Sequence, residues 1–147
     1  MTENMVPAAS IEQEVHIAAS PETVWSMWTT AEGLSAWWGS SAEVVCEPGG
    51  LMRVVMEGGP VMCGAFVTVE RPTRLVFTFG WEDPPDAGPL PPGSTRVEVT
   101  FTPDGAHTIL NLRHFNLPGT QIPAHQQGWT YFLGERLPAV APKSSAS

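Results

Sequence analysis

The fold of this chain is decided by residues 11–39, which have the sequence IEQEVHIAASPETVWSMWTTAEGLSAWWG. Apolar and polar residues alternate over residues 11–17, the period-two pattern of a strand with one solvent-exposed face. Residues 20–22, Ser-Pro-Glu, combine an N-cap, a proline at the first helical position and an acid in the first turn. A second start signal at residues 30–32 precedes apolar residues at helical spacing, and Gly39 ends that element. The segment therefore predicts one strand followed by two short helices.

Beyond Gly39 the apolar period changes to two, and Gly, Pro and Asp residues recur between the apolar runs. This pattern is typical of an antiparallel meander with tight turns. The predicted strands are 42–47, 51–57, 61–70, 73–81, 94–102 and 107–114. The connection 82–93 is rich in proline, which has no amide hydrogen for a strand ladder, so we expect an exposed, mobile loop there.

A final helix is predicted to begin near Thr120 or Pro123 and to be long enough to cover a sheet. Its apolar stripe consists of Ile122, Trp129, Phe132, Leu133 and Leu137. Prolines and a serine-rich end follow this stripe. We therefore expect a flexible N-terminus over residues 1–10, one domain over 11–140 and a disordered tail over 141–147.

Composition narrows the classes of partner. Seven Lys and Arg against 15 Asp and Glu give a net charge of −8, which repels phosphate backbones and anionic lipid headgroups. No window reaches the roughly 18 uninterrupted apolar residues of a membrane span. Nucleic acid and membranes are therefore not expected partners. Cys46 and Cys63 are too few for a disulfide scaffold, and residues 1–10 do not resemble a signal peptide, so we expect a cytoplasmic protein.

The order of strand, two short helices, meander and long final helix matches the α+β helix-grip fold, in which a curved antiparallel sheet wraps a C-terminal helix. Several short blocks share their order and spacing with one protein family. They are Ser20-Pro21-Glu22-Thr23-Val24-Trp25, Trp37-Trp38-Gly39, Pro48-Gly49-Gly50, Gly64, residues 75–81 (LVFTFGW), and His125-Gln126-Gln127-Gly128-Trp129 with Leu133 and Leu137. Residues 11–137 thereby resemble proteins similar to the activator of heat-shock-protein-90 ATPase, within the START-like (SRPBCC) superfamily. The resemblance implies the helix-grip fold, and the superfamily includes ligand carriers, aromatic cyclases and co-chaperone domains.

Alternate residues of the predicted strands form apolar rows that should face the last helix. Some of these side chains, near the open end of the grip, are candidates for lining a ligand cavity. The candidate cavity residues are Met52, Val54, Phe77, Phe79, Trp81, Val99, Leu112, His114, His125, Trp129 and Phe132. Apolar walls with few polar groups are typical of small-molecule sites, and ordinary core packing is the alternative interpretation.

Two histidines are the polar members of this set. His114 ends an inward strand row, and His125 lies one helical turn before Trp129. They could anchor a polar headgroup or transfer protons, since an unperturbed imidazole has a pKa of about 6.5. The alternative is that both are structural histidines with satisfied hydrogen bonds.

The sequence predicts neither a metal site nor a cofactor. Its cysteines and histidines lack the spacing of zinc ligands, and no glycine-rich loop opens a helix after a strand. The leading hypothesis is a non-catalytic domain that binds a small apolar or amphipathic molecule. A cofactor-free cyclase or dehydratase acting on an aromatic substrate, and a chaperone-linked interaction module, stay open as alternatives. A second copy of the chain and a chaperone are the protein partners considered.

Overall fold

The computed structural model describes residues 9–82 and 90–144. Residues 1–8 of the expected flexible N-terminus and residues 83–89 of the proline-rich loop lie outside the described residues. Leu90, which follows that segment, is buried.

The secondary structure follows the predicted order. The strands are β1 (Ile11–Ile17), β2 (Ser41–Val44), β3 (Leu51–Val55), β4 (Val61–Glu70), β5 (Arg74–Phe79), β6 (Trp81–Glu82), β7 (Thr95–Asp104) and β8 (His107–Phe115). Two short helices, α1 (Pro21–Thr29) and α2 (Ala31–Trp37), follow β1, and both begin as predicted, because Ser20 and Thr30 accept hydrogen bonds from backbone amides three residues on. The C-terminal helix consists of a 3₁₀ turn (Gly119–Gln121), α3 (Ile122–Tyr131), a π-helical segment (Phe132–Arg136) and α4 (Leu137–Ser144).

All paired strands are antiparallel and form one eight-stranded sheet in the order β1-β8-β7-β5-β4-β3-β2, with β6 paired to β4. One face of the sheet packs against the helices, and the predicted inward rows are its core. The buried stripe of the C-terminal helix consists of Trp129, Leu133, Leu137 and Ala141. The α+β helix-grip fold expected from the sequence is therefore confirmed.

The predicted strand 73–81 was wrong in one respect, because it is two strands. β5 pairs with both β4 and β7 and ends at Phe79, whereas β6 pairs only with β4, at Val61 and Met62. Gly80 lies between them, and its backbone is too close to the Pro91 carbonyl to admit a side chain. Glu82, expected to open a polar loop, instead forms an ion pair with Arg53.

The C-terminal helix also extends further than predicted. It continues to Ser144, and Ala141 is completely buried, whereas residues 145–147 lie outside the described residues. Pro138 lacks the amide hydrogen that would bond to the Gly134 carbonyl in an α-helix, and the chain here forms the π-helical segment instead.

Gly64 is required where β4 passes close to β5. A Cβ atom at this position would lie 1.8 Å from the carbonyl oxygen of Thr78. We expect Gly64→Ala to lower the free energy of unfolding by about 2–3 kcal/mol, because backbone must move to relieve the overlap. Urea unfolding measures this loss.

Gly128→Ala is the matched control, because a Cβ atom there would meet nothing within 4 Å. Gly128 lies inside α3, so alanine should raise the free energy of unfolding by about 0.5–1 kcal/mol. Equal effects of the two substitutions would contradict the close approach at Gly64.

Candidate functional site

The structure brings the candidate cavity residues together on the inner face of the sheet and the facing side of the C-terminal helix. Those that are buried are Met52, Val54, Phe77, Phe79, Val99, Leu112, His114 and Trp129. Trp81, His125 and Phe132 are partly exposed. The predicted direction of the rows is therefore correct, whereas their role in binding a ligand stays a prediction.

Three tryptophans that the candidate set omitted occupy the centre of this region. Trp28, Trp37 and Trp38 are buried and pack on one another with ring centroids 4.7–6.0 Å apart. Trp38 also contacts Phe79 at 6.3 Å and Trp129 at 5.1 Å. We call Trp28, Trp37, Trp38, Phe77, Phe79 and Trp129 the aromatic cluster. It fills the space between α1, α2, the sheet and the C-terminal helix where these residues meet.

Trp28 contributes an unusual polar atom to the aromatic cluster. Its side chain is completely buried, and its indole Nε1 has no hydrogen-bond partner. By contrast, the Trp37 indole donates to the Met27 carbonyl at 2.7 Å. An unpaired buried donor is costly, so Trp28 marks a place where packing has overridden hydrogen bonding.

His114 has both ring nitrogens occupied. The Trp129 indole donates to Nδ1 at 3.1 Å, and Nε2 lies 2.9 Å from the Thr95 hydroxyl. Because that hydroxyl donates its own hydrogen to the Phe79 carbonyl at 2.8 Å, it must accept from Nε2. His114 is therefore a neutral imidazole with its proton on Nε2. Burial, with a smaller effect from His125, lowers the pKa of His114 to about 3.

His125 is arranged in a similar way at the edge of the same region. Its Nδ1 donates to the Gln121 carbonyl at 2.7 Å, and its Nε2 accepts from the Trp81 indole at 3.1 Å. Burial lowers its pKa, and the bond to Gln121 opposes that shift. The two imidazole centroids are 6.1 Å apart. His125 thus links a tryptophan to the backbone directly, and His114 does so through the Thr95 hydroxyl. Neither histidine has a free nitrogen for proton transfer.

A pocket of about 320 Å³ opens beside the aromatic cluster, between α2, the end of β3 and the C-terminal helix. The residues around it are Ser35, Trp37, Trp38, Gly39, Ser40, Met56, Glu57, Tyr131, Phe132 and Arg136. Phe132 is the candidate cavity residue in this group, and its ring meets that of Trp37 edge-on at 6.5 Å. Trp37 and Trp38 are at most 4% exposed, so Phe132 and Tyr131 are the aromatic side chains with surface open at this pocket, and the rest of its open lining is largely polar.

The pocket is next to the π-helical segment, which supplies both Phe132 and Arg136. Such segments widen a helix locally and are frequent at functional sites. The pattern that could have indicated this place is Gly134 followed by Pro138 within an otherwise helical stretch. The other pocket residues, within 35–40 and 56–57, are distant from this segment in sequence. Periodicity along the chain therefore does not indicate that the three segments form one pocket.

The outer face of the sheet is charged and paired. Arg53 forms ion pairs with Glu82 and Glu43, and Arg74 with Glu98. The hydrogen bonds from Arg53 lower the pKa of Glu82. Cys46 and Cys63 are free thiols, and burial raises the pKa of both.

Within residues 9–82 and 90–144, no three His, Cys, Asp or Glu side chains are grouped so that they could hold a metal ion. None of the helices in this part of the chain is long and apolar enough to cross a membrane.

Several solved structures are similar to this chain over most of its length. An AHSA1-like protein from Rhizobium etli is 36% identical, with a TM-score of 0.69 over 93% of this chain and 87% of that one. An Hsp90 activator from Plasmodium falciparum is 26% identical, with a TM-score of 0.68 over 84% and 90% of the two chains. The Aha1 dimer from Colwellia psychrerythraea is 20% identical and shares the fold, with a TM-score of 0.74 over 91% and 96%.

No curated protein sequence matches the chain significantly. The family described as "Activator of Hsp90 ATPase homolog 1-like protein" matches residues 18–141, which include α1, α2, the sheet from β2 onward and nearly all of the C-terminal helix. The family resemblance found in the sequence is thereby confirmed: the chain belongs to the AHSA1-like family, within the START-like (SRPBCC) superfamily.

Proposed function

We propose that this protein binds a small apolar or amphipathic molecule in the pocket between α2 and the π-helical segment. The observation that supports this function is a pocket of about 320 Å³ with Trp37, Trp38 and Phe132 in its wall. That volume is at the lower end of the range of about 300–1,000 Å³ that is typical of ligand sites. It suits a compound of one or two rings better than a long lipid.

The proposed site differs from the cavity expected between sheet and helix. There the aromatic cluster packs ring against ring, so a ligand would have to displace buried side chains. The pocket instead lies beside this cluster, and two members of the cluster, Trp37 and Trp38, line it. Phe79 and Trp129 contact the Trp38 ring and so support it from behind.

Binding can be tested with 2-naphthamide, a neutral two-ring compound whose own fluorescence reports its environment. We expect saturable binding to the full chain and at least ten-fold weaker binding to Ser40→Trp, because the new indole would occupy the pocket. Thr102→Trp, at an exposed position of β7 remote in sequence from every pocket residue, is the matched control and should bind like the parent. Binding that is unaffected by Ser40→Trp would argue against this pocket.

The histidine geometry gives less support to a cofactor-free cyclase or dehydratase. To protonate His114, the Trp129 indole would have to leave Nδ1, because two N–H donors cannot face each other. To act as a base, His125 would have to release the Trp81 indole from Nε2. Both steps oppose buried hydrogen bonds, so a binding role agrees better with these contacts.

A chaperone-linked role is the second candidate, and the similarity to the Plasmodium falciparum Hsp90 activator favours it. Under this hypothesis the chain is cytoplasmic and contacts an Hsp90-type chaperone, and the Colwellia dimer makes a homodimer a further candidate. The direct measurement is the ATPase rate of a purified Hsp90 with and without the chain. An unchanged rate at saturating concentrations of the chain would count against this role.

A further inference from the structure

Most arginine side chains of this acidic protein have a charged or aromatic partner. Of the seven Lys and Arg residues, Arg53, Arg71, Arg74 and Arg113 form ion pairs with carboxylates. Arg96 lies over the Phe115 ring at 4.7 Å. These contacts account for five of the six arginines, all of them away from the pocket.

Arg136 is different, because it forms no ion pair within residues 9–82 and 90–144. Its guanidinium makes one hydrogen bond, from Nη2 to the Ala36 carbonyl at 3.3 Å, and its side chain is exposed at the pocket rim. A guanidinium presents five N–H donors, so most of its capacity is unused. The geometry therefore places an available cation beside an aromatic wall in a chain with a net charge of −8.

We propose that the pocket takes an aromatic carboxylate, with its rings against the exposed part of Phe132, behind which Trp37 and Trp38 are buried, and its carboxylate on Arg136. The proposal rests on the proposed function, since it specifies the ligand of the same pocket. Guanidinium and carboxylate match in a planar, two-bonded geometry, which makes Arg136 selective for this headgroup. Phe132, whose ring is held edge-on against the buried Trp37, provides apolar surface for the ring system.

Glu57 is the opposing charge at this site. It is an exposed carboxylate on the pocket rim, and it is not within ion-pair distance of Arg136. A bound carboxylate is repelled by Glu57 and attracted by Arg136. Removing one or the other charge should therefore shift the affinity in opposite directions.

The test compares 2-naphthoate with 2-naphthamide, which have nearly the same shape and differ in charge. We expect the full chain to bind 2-naphthoate about five- to ten-fold more tightly than 2-naphthamide, the range for a partly solvated charged pair. Arg136→Gln should abolish this preference, so that the ratio of the two affinities, measured in the same variant, becomes about one. Arg136→Lys should keep part of it, since a lysine retains the charge without the planar pair of donors.

Glu57→Gln is the matched variant of opposite sign, and it should raise the preference for 2-naphthoate over 2-naphthamide about two-fold. Equal affinities of the two compounds for the full chain would overturn the role of Arg136 and leave the pocket itself intact. A preference for 2-naphthoate that survives in Arg136→Gln would also overturn it. If neither compound binds saturably, the proposed function fails, and the inference about the carboxylate fails with it.

Discussion

A chain that ends at Gly119 should not fold cooperatively. This truncation removes the whole buried stripe of the C-terminal helix, in which Trp129, Leu133 and Leu137 are at most 3% exposed. Each of these side chains contributes about 1.5–3 kcal/mol by burial, which together is comparable to the 5–15 kcal/mol that stabilises a typical domain. The inner rows of the sheet would also be exposed to water. Thermal unfolding followed by near-ultraviolet circular dichroism measures the loss.

A chain that ends at Ser144 is the control for this truncation. It keeps all of α4, including the buried Ala141, and lacks only residues 145–147. We expect it to unfold cooperatively at the same temperature as the full chain. If the shorter chain ending at Gly119 also melts cooperatively near that temperature, the helix is not part of the folding unit and the grip architecture is refuted.

The fold was largely predictable because local signals agree with the global arrangement. The cap residues Ser20 and Thr30 and the period-two rows specify element type and the buried face without reference to distant contacts. The missed features depend on tertiary contacts. β6 has two residues, too few for a periodic signal, and its pairing with β4 requires the close approach at Gly64. The π-helical segment adjoins Pro138, which has no amide hydrogen to donate to the Gly134 carbonyl.

The candidate site was less predictable, for a related physical reason. The period-two pattern places Phe79 of β5 and His114 of β8 on the inner face of the sheet. Thr95 lies on the inner face of β7, and its hydroxyl sets the tautomer of His114. Which donor meets which acceptor depends on distances between elements, and so does the pocket. Trp28 and Trp38 lie between the sheet and the C-terminal helix because α1 and α2 pack there. Helical periodicity within each segment does not reveal this arrangement.

The buried network around His114 should make stability strongly dependent on pH. Its pKa is lowered from 6.5 to about 3 in the folded protein, mainly by burial, whereas the unfolded chain keeps an ordinary imidazole. Between these values the unfolded state binds a proton that the folded state does not. The free energy of unfolding is therefore at its full value above pH 6.5 and falls as the pH decreases, by about 1.4 kcal/mol per pH unit from this residue. The lowered pKa of His125 acts in the same direction.

The measurement is the free energy of urea unfolding from pH 7 to pH 5, a range in which most carboxylates stay ionised. The His114 contribution alone should lower stability by about 2 kcal/mol over this interval. His114→Gln can still accept from Trp129 and donate to Thr95, and it does not titrate, so its pH slope should be clearly shallower whatever its stability at pH 7. His16→Gln, at an exposed position of β1, should retain the full slope. Identical slopes for the parent chain and His114→Gln would show that His114 does not stay neutral in the fold.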